Sequence, residues 1–463
     1  MQARTLARRA AVALAGAAAL AAAPLAAQTP PPPTQPTSTL PSSTPPSSPQ
    51  PGATQPTPAD TALRIVLLTM GPGDEVWERF GHNAIWVHDP TTGGDKAYNY
   101  GMFDFRQENF ILNFARGRMN YWMEGFDAYL TADHYRMLNR SVWAQELNLT
   151  PAQARQVKLL LERNERPENR FYRYDYYRDN CSTRVRDILD LVLHGALKQA
   201  TARQPSGTTY RWHTRRLVGQ GAANVPIFTA IDFGLGPAAD RPISKWDEMF
   251  LPMKLRDEVA ALRVRDAAGN VVPLVAKQQT LFTATRPAEP AAPPRWMPGF
   301  LLAGLALAGA IGGLALTTRR SNAGRVGFAL VTSLWLLFAG TGGLILLGLW
   351  TVTDHAIAYR NENILQLSPL ALPLVVLIPA LGYGARWAGK WASRLAYAVA
   401  ALSLLGLVLQ VLPWLNQANG YALALALPVN LAIAWAAWYL GPVSPTARVP
   451  ERAVRAGRKR VGA

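Results

Sequence analysis

Five apolar stretches near the end of the chain limit its architecture more than any other feature. They cover residues 298–317, 326–350, 367–385, 395–413 and 421–440. A helix needs about 20 apolar residues to cross the hydrocarbon of a bilayer, and each stretch is near that length. The last two lie in a charge-free run from Leu395 to Ala447, which Pro413, Asn416, Gln417, Asn419 and Gly420 break as a helical hairpin would. The expected C-terminal architecture is an all-α bundle of about five transmembrane helices over 297–442, followed by a basic cytoplasmic tail at 443–463.

Loop charge orients this bundle. Arg319, Arg320 and Arg325 separate the first two stretches, and Arg386, Lys390 and Arg394 separate the third from the fourth. Six more basic residues fill the tail, whereas the opposite loops hold only Arg360. Basic loops stay in the cytoplasm, so the segment before the first helix is expected outside it. The N-terminus agrees independently. Arg4, Arg8 and Arg9 precede a short Ala/Leu/Val run at 10–23 and small residues near Ala27, the pattern of a secretory signal peptide at 1–27. Residues 28–60 are rich in Pro, Thr, Ser and Gln and almost devoid of bulky apolar side chains, as expected of a disordered tether. The net charge of +17 reads as a topology signal, and no basic patch interleaved with aromatics argues for nucleic acid.

Residues 61–296 have ordinary globular composition and are expected to form the periplasmic domain. Leu63–Met70 is a run suited to a buried strand, Gly71-Pro72-Gly73-Asp74 is a turn, and Asn83–Val87 and Ala97–Phe105 are further strand candidates. Thr150-Pro151 opens a helix to about Asn164, with Pro at a position that tolerates it. Val185, Ile188, Leu189 and Val192 repeat at helical spacing behind Asp179-Asn180-Cys181, and Gly195 ends that helix. Asp179 or Asn180 is the N-cap, so Cys181 sits in the first turn. Free N–H groups and the helix dipole there favour a thiolate and are expected to lower its pKa. Cys181 is the only cysteine in the chain, and a nucleophilic thiol needs a base. Of six histidines, His82 at the mouth of a strand fits best by spacing. No cluster has metal-ligand spacing, and no cofactor is implied.

The blocks Arg79-Phe80-Gly81-His82-Asn83-Ala84-Ile85, Tyr98-Asn99-Tyr100-Gly101-Met102-Phe103-Asp104-Phe105, Pro167-Glu168-Asn169-Arg170, Asp179-Asn180-Cys181-Ser182-Thr183-Arg184, Asp240-Arg241-Pro242 and Met249-Phe250-Leu251-Pro252 together resemble the Lnb-type lipoprotein N-acyltransferase family. That resemblance implies an α+β permuted papain-like domain, related to NlpC/P60 and lecithin-retinol-acyltransferase folds, followed by the membrane bundle. It implies Cys181 as nucleophile, His82 as base and Asn99 as the residue that orients it, with Asp104 as the alternative orienter. Thr353-Asp354-His355 and Asn361 to Leu365 are similar to the family's loop after its second membrane helix, which makes Asp354, His355 and Asn363 accessory candidates. The implied protein is a multi-pass enzyme of the bacterial inner membrane. It would move a fatty acyl chain from a phospholipid donor, through a cysteine thioester, to the N-terminal amine of a lipoprotein acceptor. The alternatives are a cysteine hydrolase of cell-wall peptides or lipids on the same fold, and a non-catalytic membrane scaffold.

Overall fold

The computed structural model of the chain describes residues 63–412, 415 and 417–441. The expected signal peptide, tether and cytoplasmic tail lie outside them. The chain divides into two compact units: one holds the residues up to Gly207 together with Ile243–Glu289, the other Thr208–Pro242 together with everything from Pro290.

The first unit is built on a seven-stranded antiparallel sheet. Its strands are β1 (Arg64–Met70), β2 (His82–Asp89), β3 (Gly94–Met102), β4 (Asn120–Asp127), β5 (Val142–Leu147), β6 (Phe171–Arg173) and β7 (Val275–Phe282). Their order is β7-β5-β1-β2-β3-β4-β6. Strand β1 is an interior strand of the sheet, buried along almost its whole length, which explains its apolar run Ile65–Leu68. Helices α1 (Phe110–Ala115), α2 (Ala128–Met137), α3 (Pro151–Glu165) and α4 (Cys181–Val192) connect and cover the strands. Thr150 caps α3 in a capping box with Gln153. Val157 and Leu161 of α3, Val185 and Leu189 of α4, and Ile65, Leu67 and Ile85 of the sheet share one core. Each such side chain contributes about 1.5–3 kcal/mol through the water it leaves.

The second unit is helical and begins earlier in sequence than expected. Thr208–Pro242, placed by composition inside a domain ending at 296, belongs to it. This segment carries α5 (Tyr210–Val218) and α6 (Val225–Gly234). Phe228 and Phe233 of α6 pack in one cluster with Phe300 and Tyr421, so their apolar surface is spent on the bundle. Arg211 of α5 is fully buried: it donates to both carboxylate oxygens of Asp240, to Asp232, and to the carbonyls of Leu235 and Gly236.

The remaining helices are α7 (Met297–Thr317), α8 (Asn322–Thr351), α9 (Ala371–Gly382), α10 (Arg386–Leu409) and α11 (Gly420–Leu440). Four of them, α7, α8, α10 and α11, are long and apolar enough to cross a membrane. Helix α9 has 12 residues, roughly 18 Å at 1.5 Å per residue, and does not match the continuous span expected over 367–385. The segment before it is irregular and held by side chains. Gln366 Nε2 donates to the Ser403 carbonyl, Asn430 Nδ2 donates to the Gln366 carbonyl and to Ser403 Oγ, and Trp335 Nε1 donates to Asn430 Oδ1. Irregular backbone at membrane depth survives only where protein groups satisfy it in this way.

Removing Arg211 takes the bidentate cation from Asp240 and leaves Asp232 with Arg215 alone, inside a buried pocket of carbonyls. Arg211→Met is expected to cost about 3–5 kcal/mol and to lower the melting temperature of the detergent-solubilised chain. Arg136→Met, which removes an exposed pair with Asp133, is expected to stay within about 0.5 kcal/mol in the same thermal melt.

Candidate active site

Two glycines bring the candidate residues together. Gly81 has φ +82°, and a Cβ there would stand 2.8 Å from the Met70 carbonyl oxygen. Only glycine allows this close turn, and it delivers His82 as the first residue of β2, in register with Met70 at the end of β1. Gly101 has φ +85° at an irregularity in the β3–β4 pairing. Its missing Cβ leaves room for Cys181, whose own Cβ would be 3.5 Å away. The end of β3 is thereby seated against the start of α4.

Asn180, rather than Asp179, caps α4. Its Oδ1 accepts from the N–H groups of Ser182 and Thr183, at 2.9 Å each, while its Nδ2 donates to the carbonyls of Tyr176 and Phe250. Asp179 faces away to a bidentate pair with Arg184. The N-terminal position of Cys181 expected from the sequence is therefore fixed by four hydrogen bonds from one buried amide.

On the sheet, His82 Nε2 donates to Asn99 Oδ1 at 3.1 Å. The Asn99 amide nitrogen donates to the Ala97 carbonyl at 3.0 Å, and this fixes which end of the amide faces the ring. Since a carbonyl oxygen only accepts, the ring proton lies on Nε2 and the lone pair on Nδ1. Asn99 is thus the polar side chain that meets the imidazole. Asp104 does not: it sits on an exposed loop in a bidentate pair with Arg106. Tyr135 stacks on the imidazole at 6.1 Å between ring centroids. Arg140 lies over the Tyr135 ring, anchored to the Gly71 carbonyl and near Glu78. Neither residue was legible in the sequence, where Arg140 is one of 47 basic side chains.

Protonation differs from the sequence expectation. Cys181 is only 8% exposed and packs in the apolar core with Tyr100 and Tyr172. Burial pushes its thiol pKa up, although the backbone N–H groups of Asn83, Ser182 and Cys181 itself, and the charge of Arg140, oppose that rise. Loss of water outweighs the helix start, so the thiol is neutral rather than a thiolate. Burial also lowers His82 from 6.5 to about 4, helped by the Arg140 charge and opposed by the Asn99 hydrogen bond. The result is a neutral thiol and a neutral imidazole in the same domain. Helix α4 packs on β2 and β3, so the helix that Cys181 opens and the strands that carry His82 and Asn99 adjoin within one unit.

The accessory candidates fall in the second unit. His355 caps a 3-10 turn over Ala356–Ala358, after Asp354. Asn363 is fully buried; its Nδ2 donates to the Phe233 carbonyl, while its buried Oδ1 has no hydrogen-bond partner. Among the described residues, no group of three or more His, Cys, Asp or Glu side chains is placed to hold a metal ion.

A cysteine opening a helix, with a histidine–asparagine pair on the adjoining strands, defines an α/β domain with a thiol centre, joined to a membrane-type helical unit. Residues 55–220 match the family model of the Lnb N-terminal periplasmic domain, which supports an Lnb-type domain in this part of the chain. No curated protein and no solved structure matches the chain.

Because Cys181 is the only thiol, its titration can be followed without ambiguity. Alkylation by iodoacetamide, read by mass spectrometry from pH 5 to 10, is expected to stay slow through neutrality and to rise only above the ordinary thiol range. A fast plateau already present at pH 5–6 would instead mark a thiolate–imidazolium pair.

Proposed function

We propose that this protein is a membrane-bound acyltransferase that moves a fatty acyl chain from phospholipid to the N-terminal amine of a diacylated lipoprotein, through a thioester on Cys181. The observation that carries the reading is a cysteine that opens α4, packed on the two strands that hold the Asn99-oriented His82, in an Lnb-type domain. In the first half-reaction His82 Nδ1 takes the thiol proton as sulfur attacks the ester carbonyl. The S–C bond forms, the C–O bond breaks, and the lysophospholipid hydroxyl leaves with the proton from His82. In the second half-reaction the amine nitrogen attacks the thioester, the C–N bond forms, and the C–S bond breaks. The amine proton returns to sulfur by way of the imidazole.

The N–H groups around the sulfur supply donors for the oxyanion of both tetrahedral intermediates. A neutral resting pair suits this chemistry: charge separates only as the carbonyl carbon accepts the sulfur electrons. His82 depressed to about 4 keeps its lone pair through the whole neutral range. A permuted papain-like arrangement accounts for a histidine that precedes the cysteine in sequence.

The membrane unit supports a lipid substrate, since both reactants of such a transfer are anchored in a bilayer and a tethered site shortens the search. We read five crossings in it, the third made by the irregular stretch before α9 together with α9 itself. A Cβ on Gly343 would meet the Leu367 carbonyl, one on Gly340 would meet Leu372, and one on Gly382 would meet Phe328. The segment therefore runs antiparallel to α8 over much of its length. Five crossings keep the arginine-rich loops and the tail on the cytoplasmic side and the Lnb-type domain in the periplasm.

The test is mass spectrometry of lipoprotein N-termini in cells whose only such enzyme is this protein. The chain as it stands is expected to give N-acylated lipoproteins, and Cys181→Ala to give none. His82→Ala is expected to lower the rate by about 10²–10⁴-fold, the usual worth of a general base. Unmodified amines with the intact chain present contradict the acyl transfer, and release of free fatty acid instead identifies water as acceptor.

A further inference from the structure

Helix α1 is anomalous for a soluble surface. Its sequence is Phe-Ile-Leu-Asn-Phe-Ala, yet none of its six residues is buried. Ile111 is 67% exposed, and Leu112 and Phe114 are nearly half exposed. Two further aromatic residues extend the apolar face: Phe105 is 58% exposed and Trp77, five residues before His82, is 52% exposed. A contiguous apolar patch of this kind marks an interaction site.

Ring contacts link the patch to the candidate active site without a gap. Phe114 and Phe105 both touch Phe110, at 6.4 and 5.1 Å, and Phe105 touches Trp77 and Phe103. Phe103 stacks on Tyr121, and Tyr121 on Tyr174 at 4.4 Å. Tyr174 is a wall of the notch at Gly101 that receives Cys181. Charge is arranged beside the patch as well. Arg116 and Arg118 follow α1 directly, both exposed, and no acidic residue occurs from Asn109 to Met123.

We propose that α1 and the rings beside it form a membrane-docking surface. In it the apolar side chains enter the acyl region of a phospholipid bilayer and Arg116 and Arg118 bind anionic headgroups. The aromatic track then offers a donor acyl chain an apolar route toward Cys181. An interfacial element of this type pairs an apolar face with flanking basic residues and strengthens with anionic lipid. A bilayer is favoured over a protein partner because the same chain carries membrane-spanning helices and because the apolar contacts continue inward to the thiol. The acyl-chain route rests on the function proposed above; the docking itself does not.

The experiment uses the full chain with Cys181→Ala, so that no chemistry is needed. Phe114→Cys is labelled with an environment-sensitive nitrobenzoxadiazole dye, Leu112→Cys serves as a second site, and Ala268→Cys, on an exposed hairpin turn, is the reference. In proteoliposomes of phosphatidylcholine and phosphatidylglycerol, nitroxides on the acyl chains are expected to quench the dye at 112 and 114 several-fold more than at 268. Quenching at 114 is expected to grow with the phosphatidylglycerol fraction, and Arg116→Glu with Arg118→Glu to remove that growth. Equal quenching at all three sites overturns the proposal, as does protection of position 114 by an acceptor lipoprotein but not by lipid. Strong quenching together with unmodified lipoprotein amines in cells would retain the docking surface and discard the acyl transfer.

Discussion

The missing side chain at Gly101 decides how close the sheet and helix α4 can come. A positive φ at that position places the end of β3 against Cys181, and any Cβ there would be strained and would press on Tyr174 at 3.3 Å. The Asn180 amide holds the other side of the contact through four hydrogen bonds that no shorter or longer side chain reproduces. With the helix start pinned in this way, Cys181 lies against the end of β3, and His82 on the next strand is oriented by Asn99. The chemistry of the domain depends on this packing.

The same tight packing governs electrostatics. A helix N-terminus favours a thiolate by a modest amount, whereas removal of water from a fully enclosed sulfur disfavours it by more. Arg140 acts on both partners: it favours the thiolate and disfavours the imidazolium. Its net effect is to keep His82 neutral and so available as a base. A centre of this kind waits uncharged in apolar surroundings, which suits a substrate whose reacting carbonyl is attached to hydrocarbon.

Much of this was legible in the sequence because it rests on local rules. The strand at 64–70, the helix opening at Pro151, the cysteine at a helix start and the histidine at a strand mouth follow from periodicity, capping residues and turn chemistry. Other features were not legible, each for a non-local reason. The thiol pKa depends on the burial of residue 181 in a core shared by residues far apart in sequence, among them Tyr100 and Tyr172 on different strands. The choice of Asn99 over Asp104 depends on which of two nearby polar side chains points at the ring, which a bulge and a loop decide. The membership of Thr208–Pro242 in the helical unit depends on Arg211, Phe228 and Phe233, whose partners are chosen by tertiary packing. Likewise, hydropathy alone cannot divide 367–385 into an irregular stretch satisfied by Gln366, Ser403 and Asn430 and a 12-residue helix.

The central claim is that Cys181 carries the acyl group between donor and acceptor. It is tested most directly by incubating the purified full chain with phospholipid vesicles in the absence of any amine acceptor and taking its intact mass. The account predicts one added fatty acyl group, mapped to Cys181 by peptide mass spectrometry and removed by neutral hydroxylamine. Lysophospholipid production without an adduct on Cys181, or with an adduct on another residue, would contradict it.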